Sequence, residues 1–156
     1  MFEIRKATTK DYPEIQNLIH FTVRTCYPAI YPPEVVDFFI QYHSLDEIER
    51  RAGSGIVLVL VIEDNIKSTG FLCDEEMGGV YVYPVYQRKG LGTAIVTKLL
   101  DSAYKQKLEK VWLDATPLAR PLYEKFKFDL TSPMVHMVGE VPLHYFRMEK
   151  KLSLSN

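Results

Sequence analysis

Arg88 and Lys89 place two full positive charges at one turn of the chain, Gln87-Arg88-Lys89-Gly90-Leu91-Gly92. The apolar stretch Val80-Tyr81-Val82-Tyr83-Pro84 enters that turn, and Thr93 to Leu100 follows it. This order predicts a strand, a tight glycine-bearing turn and the first turn of an amphipathic helix. A helix N-terminus leaves amide N–H groups without intrahelical acceptors, and the macrodipole adds partial positive charge there. The object implied is a pyrophosphate cradle, and hence a phosphate-bearing cofactor. Two common phosphate motifs do not fit. A dinucleotide fold needs G-x-G-x-x-G, but only Gly90-Leu91-Gly92 is present, with Ala94 and Ile95 where a third glycine belongs. A P-loop needs G-x-x-x-x-G-K-[ST], which the chain lacks. Taken alone, Gly90 and Gly92 read equally as two turn glycines.

The longer run, Gln-x-x-Gly-x-Gly after the strand end Val82-Tyr83-Pro84, resembles the acetyl-CoA-binding motif of the GNAT superfamily of N-acetyltransferases. Downstream, Ala119-Arg120-Pro121-Leu122-Tyr123-Glu124-Lys125-Phe126-Lys127-Phe128 resembles that superfamily's "A-x-x-hydrophobic-Tyr-x-Lys-hydrophobic-Gly-Phe" helix. The resemblance implies an α/β fold of three layers, with a mixed, mostly antiparallel sheet and helices on both faces. It also implies acetyl-CoA as cosubstrate and transfer of its acetyl group to a primary amine by direct attack. Val80, Tyr81 and Val82 then form a splayed strand that pairs with the pantetheine arm, and an N–H at or near Val82 polarises the thioester carbonyl. Gln87, Arg88, Lys89, Gly90, Leu91, Gly92 and Thr93 hold the pyrophosphate. Thr116 stands where many members contact the cofactor through an asparagine. Lys127 stands where the family has glycine, and a left-handed conformation is harder for lysine, so the helix exit is expected to differ there.

Acetyl transfer needs an acid for the leaving thiolate and a base for the amine. Tyr123 is the candidate acid, since a phenol with a pKa near 10 is protonated at neutral pH. Spacing by itself would make Tyr123 a core aromatic beside Leu118, Leu122 and Phe126; the resemblance makes it catalytic. The base stays open among Asp114, Glu75, Glu76, Tyr81 and a water chain, with Glu75 and Glu76 reading as solvated turn charges. Tyr27 and Tyr31 flank prolines in Cys26-Tyr27-Pro28-Ala29-Ile30-Tyr31-Pro32-Pro33 and are the candidate acceptor contacts; covering the core edge is an equal alternative. His20, His43, His136 and His144 share no metal-ligand spacing. Surface positions are the default for them, with His136 or His144 available to the acceptor groove. Cys73 reads as a buried strand residue.

The elements that must position these groups follow from periodicity. Phe2 and Ile4 alternate in a short strand, and residues 11 to 24 carry a helical stripe after the cap candidates Thr8, Thr9 and Asp11. Three prolines make 26 to 33 a loop. Pro33 opens a second helix, and Ser44-Leu45-Asp46-Glu47 has the form of a capping box for a third, ended by Gly53 and Gly55. Strands are expected over Ile56 to Ile62, Ile66 to Cys73, Val80 to Tyr83 and Val111 to Leu113, with a bulge or close backbone approach at Gly70. Asp74-Glu75-Glu76 reads as a turn, and Leu118 to Phe126 as a helix. A closing hairpin runs from Phe128 to Leu152 about a turn at Gly139-Glu140-Val141-Pro142.

At 156 residues, residues 1–156 read as one acetyltransferase-like domain. Apolar residues at 47% and charged ones at 25% are ordinary for a globular protein. A net charge of −1 argues against nucleic-acid binding. No apolar run approaches the roughly 18 residues of a membrane span. Met1-Phe2-Glu3-Ile4-Arg5 lacks a signal-peptide core, and two cysteines make no disulfide framework, so a cytoplasmic setting is expected. The partner is then a small-molecule or peptide amine, with no nucleic acid, membrane or metal; the edge near Val135 to Val138 leaves a homodimer open. A non-catalytic acyl-CoA-binding regulatory module is the alternative, and a nucleotide-binding protein unrelated to CoA is a third reading.

Overall fold

A computed structural model describes residues 1–152. Seven strands form one sheet in the order β1-β2-β3-β4-β5-β7-β6. They are β1 (Glu3–Lys6), β2 (Ile56–Ile62), β3 (Asn65–Cys73), β4 (Glu76–Val82), β5 (Lys110–Ala115), β6 (Asp129–Val138) and β7 (Val141–Lys151). All neighbours are antiparallel except β4 and β5. The helices are α1 (Tyr12–Cys26), α2 (Pro33–Tyr42), α3 (Leu45–Ser54), α4 (Leu91–Lys105) and α5 (Arg120–Lys125). Among the described residues, no helix is long and apolar enough to cross a membrane.

Strand alternation divides the core into two layers. In β2, Leu58 and Leu60 face α4, while Val57 and Val59 face the α1–α3 side. Ile95, Val96, Leu99, Leu100 and Ala103 of α4 bury the stripe expected of that helix on the first side. Ile15, Leu18, Ile19 and Val23 of α1 bury theirs on the second, with Val35, Phe39 and Ile48 from α2 and α3. The three-layer, mostly antiparallel α/β architecture expected from sequence is therefore the one observed.

Local differences have physical causes. The proline-rich segment is not wholly a loop: Tyr27–Ala29 forms a 3-10 turn continuing α1, because Pro28 sits in its first turn, where its missing N–H costs nothing. Ser44 caps α3 as expected, accepting the Glu47 N–H at 3.1 Å, but α3 runs on through Gly53 to Ser54. The register of β3 against β4 shifts at Gly70, where an added Cβ would lie 2.7 Å from Ile95 of α4. The turn after β3 ends one residue early, so Glu76 begins β4 rather than closing a turn. The last turn spans only Gly139 and Glu140, and Val141 and Pro142 already belong to β7. Lys127 takes φ +67° despite its side chain. The Phe128 N–H donates to the Tyr123 carbonyl at 3.1 Å and holds the helix exit in the glycine-like form.

Candidate active site

A split in the sheet builds the site. β4 and β5 register only at Glu76 and Trp112, where the Trp112 N–H donates to the Glu75 carbonyl at 2.9 Å. Beyond that point the strands diverge. The bulge near Gly79 bends β4 away, and β5 spends its other edge on β7 along its whole length. Gly79 sits at φ +59°, and a Cβ there would meet the Phe71 ring at 2.8 Å, so any side chain at this bend would be strained and would displace Phe71. The Tyr83 N–H donates to the Lys67 carbonyl at 2.8 Å, so strand alternation turns the amides of Val80 and Val82 toward the gap. The Val82 carbonyl there accepts from Gln87 Nε2 at 3.0 Å. Gln87 thus ties the following turn to the end of β4.

The α4 N-terminus opens at the same edge. Gly90 caps it in the left-handed conformation, φ +84°, with open space where a Cβ would stand. The first intrahelical bond is Ala94 N–H to the Gly90 carbonyl at 3.0 Å. The amides of Leu91, Gly92 and Thr93 are therefore left without helical acceptors. Arg88, Lys89 and Thr93 are exposed beside them. A Cβ on Gly92 would touch Val82 and Leu122 at ordinary van der Waals range, so Gly92 packs the cradle against the split strand. The chemistry of this set (three free amides, two cations and a helix dipole) fits a pyrophosphate.

Between the split strands and α2 lies a cavity of about 310 Å³. Val80, Tyr81, Thr116, Tyr123 and Tyr27 line it, which brings five of the expected site residues together. Tyr123 is 4% exposed, its ring edge-on to Phe128 at 5.6 Å. Among the described residues its hydroxyl has no hydrogen-bond partner, and burial holds the phenol well above its ordinary pKa. Thr116 accepts the Ala119 N–H at 3.3 Å, which starts the turn into α5. Tyr31 does not line the cavity. It packs behind Tyr27, with ring centroids 5.5 Å apart, its hydroxyl buried without a partner and its pKa pushed up to about 12 by burial.

A polar chain that sequence reasoning missed starts in the cavity wall, at Tyr27, Tyr81 and His43, and runs on behind it to Arg51. Tyr27 Oη donates to Tyr81 Oη at 3.3 Å, Tyr81 Oη meets His43 Nε2 at 3.0 Å, and Arg51 Nη1 donates to His43 Nδ1 at 3.1 Å. Arg51 Nε continues to Glu47 at 3.1 Å. A guanidinium only donates, so His43 Nδ1 accepts and Nε2 carries the proton toward Tyr81. His43 is not a surface residue: it is 4% exposed, and burial, reinforced by Arg51 and then His20, keeps the ring neutral well below its usual pKa. The one local signal for it was its place between Tyr42 and the capping Ser44. His136 lines the cavity, as allowed for; His144 does not.

Two carboxylates reach the cavity, Glu76 and Asp114. Arg147 clamps Asp114 with bonds of 2.7 and 3.0 Å. Glu76 has no hydrogen-bond or ion-pair partner among the described residues. Burial first, and the nearby Asp114 second, raise its pKa. Glu75 stays in the turn, as the sequence suggested.

A family model described as an acetyltransferase (GNAT) domain matches residues 27–152. Among solved structures, the GCN5-related N-acetyltransferase from Rhodopseudomonas palustris superposes with a TM-score of 0.87 at 15% identity, covering 96% of this chain and 95% of that one. PaiA N-acetyltransferase from Thermoplasma acidophilum, solved with coenzyme A, gives 0.79 at 18% identity over 97% and 99%. YncA from Salmonella typhimurium, a putative acetyltransferase solved with acetyl-CoA, gives 0.72 at 20% over 99% and 95%. At these identities the structural likeness carries the fold. No curated protein matches the chain by sequence.

Proposed function

Since the chain belongs to the GNAT acetyltransferase domain family, we propose that it moves an acetyl group from acetyl-CoA directly to a primary amine. The observation that carries this reading is the β4–β5 split opening beside the free amides of the α4 N-terminus, with Tyr123 at its inner end. Two of the similar structures hold coenzyme A or acetyl-CoA, which supports the same cosubstrate here. Acetyl-CoA, when bound, supplies the activated acyl group and a thiolate leaving group.

The chain's own residues divide the remaining work. The backbone of Arg88 to Thr93 binds the pyrophosphate, Arg88 and Lys89 adding charge that salt screens because both are exposed. Val80 and Val82 offer their gap-facing amides, and the Val82 N–H is the donor for negative charge developing on the acyl oxygen. Tyr123 gives the leaving sulfur its proton. Burial raises the phenol, but it raises the proton affinity of a thiolate forming in the same cavity in the same direction. Glu76 is the base: its carboxylate is unpartnered and sits at the cavity, and its raised pKa brings it nearer to the range of a proton acceptor. Neither His43 nor Tyr81 serves as base: Arg51 occupies the lone pair of His43 Nδ1, so Nε2 carries a proton toward Tyr81, and burial keeps the Tyr81 phenol protonated, its oxygen accepting from His43 and Tyr27. Thr116 positions the start of α5, and Tyr27 completes the floor.

This reading takes residues 1–156 as one catalytic domain. The single sheet shared by both core layers supports that, and residues 153–156 lie outside the described residues. Calorimetric titration with acetyl-CoA, with ATP and NAD as controls, tests the reading. Micromolar, CoA-selective binding is expected. Absence of binding, or preference for ATP or NAD, overturns it.

A further inference from the structure

Charge in the cavity wall is lopsided. Among the described residues lining it, no lysine or arginine occurs, His43 is held neutral, and Asp114 is neutralised by its two bonds to Arg147. That leaves Glu76 as the one carboxylate on the wall without a hydrogen-bond or ion-pair partner among the described residues, the charge of Arg51 reaching it without contact. An anionic acceptor, or an amino acid with its carboxylate, would meet the Glu76 carboxylate with no lysine or arginine on the wall itself to pair with it. A single ammonium is complementary.

The rest of the wall is ring. Phe38 stacks on Tyr42, with centroids 5.9 Å apart and planes 12° from parallel, and His136 lies 5.1 Å from Phe38. These rings come from α2 and β6 and form the outer side of the cavity. Aromatic faces also attract cations, so they could in principle hold a second ammonium. Arg51 counts against that. Its guanidinium already sits 4.5 Å from the Phe71 ring centroid and 5.5 Å from that of Tyr42, on the buried side of the wall. Arg51 thus occupies the Tyr42 and Phe71 rings, and its charge disfavours a second cation against that part of the wall. A volume of about 310 Å³, shared with the reacting end of the cosubstrate, is small for a polypeptide segment.

Resting on the acetyltransferase reading above, we infer that the acceptor is a monoamine whose single ammonium is carried on a flat, uncharged apolar body, an arylalkylamine in chemical class. Glu76 receives the ammonium, and Phe38, Tyr42 and His136 cover the body.

The test is initial-rate thiol release at saturating acetyl-CoA with phenethylamine, tyramine, spermidine, putrescine, glycine and a short peptide with a free N-terminus. The arylalkylamines should exceed every other acceptor in kcat/KM by at least about tenfold, the factor that burying one ring-sized apolar body supplies. Phe38→Ala should raise KM for phenethylamine by about tenfold on the same grounds and raise that for ethylamine far less. Spermidine, putrescine, glycine or the peptide as best acceptor overturns the inference. So does equal loss for phenethylamine and ethylamine in the variant, or turnover of none of the panel. In each of those cases calorimetric binding of acetyl-CoA still separates this failure from failure of the acetyltransferase reading.

Discussion

Replacing Tyr123 with phenylalanine separates chemistry from stability, because the structure gives its hydroxyl nothing to hold. The ring is 4% exposed and packs edge-on to Phe128 at 5.6 Å, contacts that phenylalanine keeps. Among the described residues the hydroxyl has no partner, so its removal orphans no donor or acceptor. A broken buried hydrogen bond would cost about 1–3 kcal/mol; here the expected change in unfolding free energy is within about 0.5 kcal/mol. Loss of a positioned general acid costs about 10²–10⁴ in rate, or roughly 3–5 kcal/mol at the barrier. Thiol-release kinetics should therefore show kcat falling by at least about a hundredfold, with acetyl-CoA affinity and thermal midpoint nearly unchanged. The pH profile adds a second check. Burial raises the phenol above its ordinary pKa near 10, so its proton is retained throughout the neutral and mildly alkaline range. Any fall in wild-type kcat below about pH 10 should then persist in Tyr123→Phe. An unchanged kcat refutes the acid role. A lowered thermal midpoint refutes the view that the hydroxyl is structurally idle.

Lys127→Gly should stabilise the protein by about 0.5–1 kcal/mol, since φ +67° costs lysine more than the chain entropy glycine brings; urea unfolding reads the gain, and a loss would mean the lysine side chain contributes contacts that outweigh the strain. Arg5 grips Asp11 with bonds of 2.7 and 3.0 Å and, with the Thr8 N–H, holds its carboxyl at about 2. A folded value below the unfolded one gives stability present above about pH 4 and lost as pH falls toward 2. Asp11→Asn should cost about 1–2 kcal/mol at pH 7, allowing for the exposure of Arg5, and flatten that acid limb in urea titrations. His43 is also depressed in the fold, so the unfolded chain takes the proton first, and stability present above about pH 6.5 is lost as pH falls below it. Ring-proton NMR should show His43 still neutral below the ordinary imidazole value of about 6.5; titration of His43 at that ordinary value would contradict the buried Arg51–His43–Tyr81 chain.

Local chemistry decided much of this protein before folding. The periodic stripes of α1 and α4, the β-branched run of β2, the Ser44 cap and the turn leading into Gly90 depend on neighbours within a few residues, and these are the elements found where expected. The cradle was legible for the same reason, since a strand, a turn and a helix N-terminus make it without help from the rest of the chain. Tyr123 was legible only through the whole motif around it, because an apolar stripe with one tyrosine reads equally as core. Tertiary structure decided the rest. Whether Glu76 is a solvated turn charge or a carboxylate on a cavity depends on where β4 begins and on its split from β5, and that split needs β4 held by β3 on one side and β5 held by β7, which is remote in sequence, on the other. Tyr27, Arg51 and Tyr81 come from three separate elements and His43 from the link between α2 and α3, and no spacing along the chain encodes their contact. Burial then set their protonation, since desolvation depends on what surrounds a group in space rather than on its neighbours in sequence.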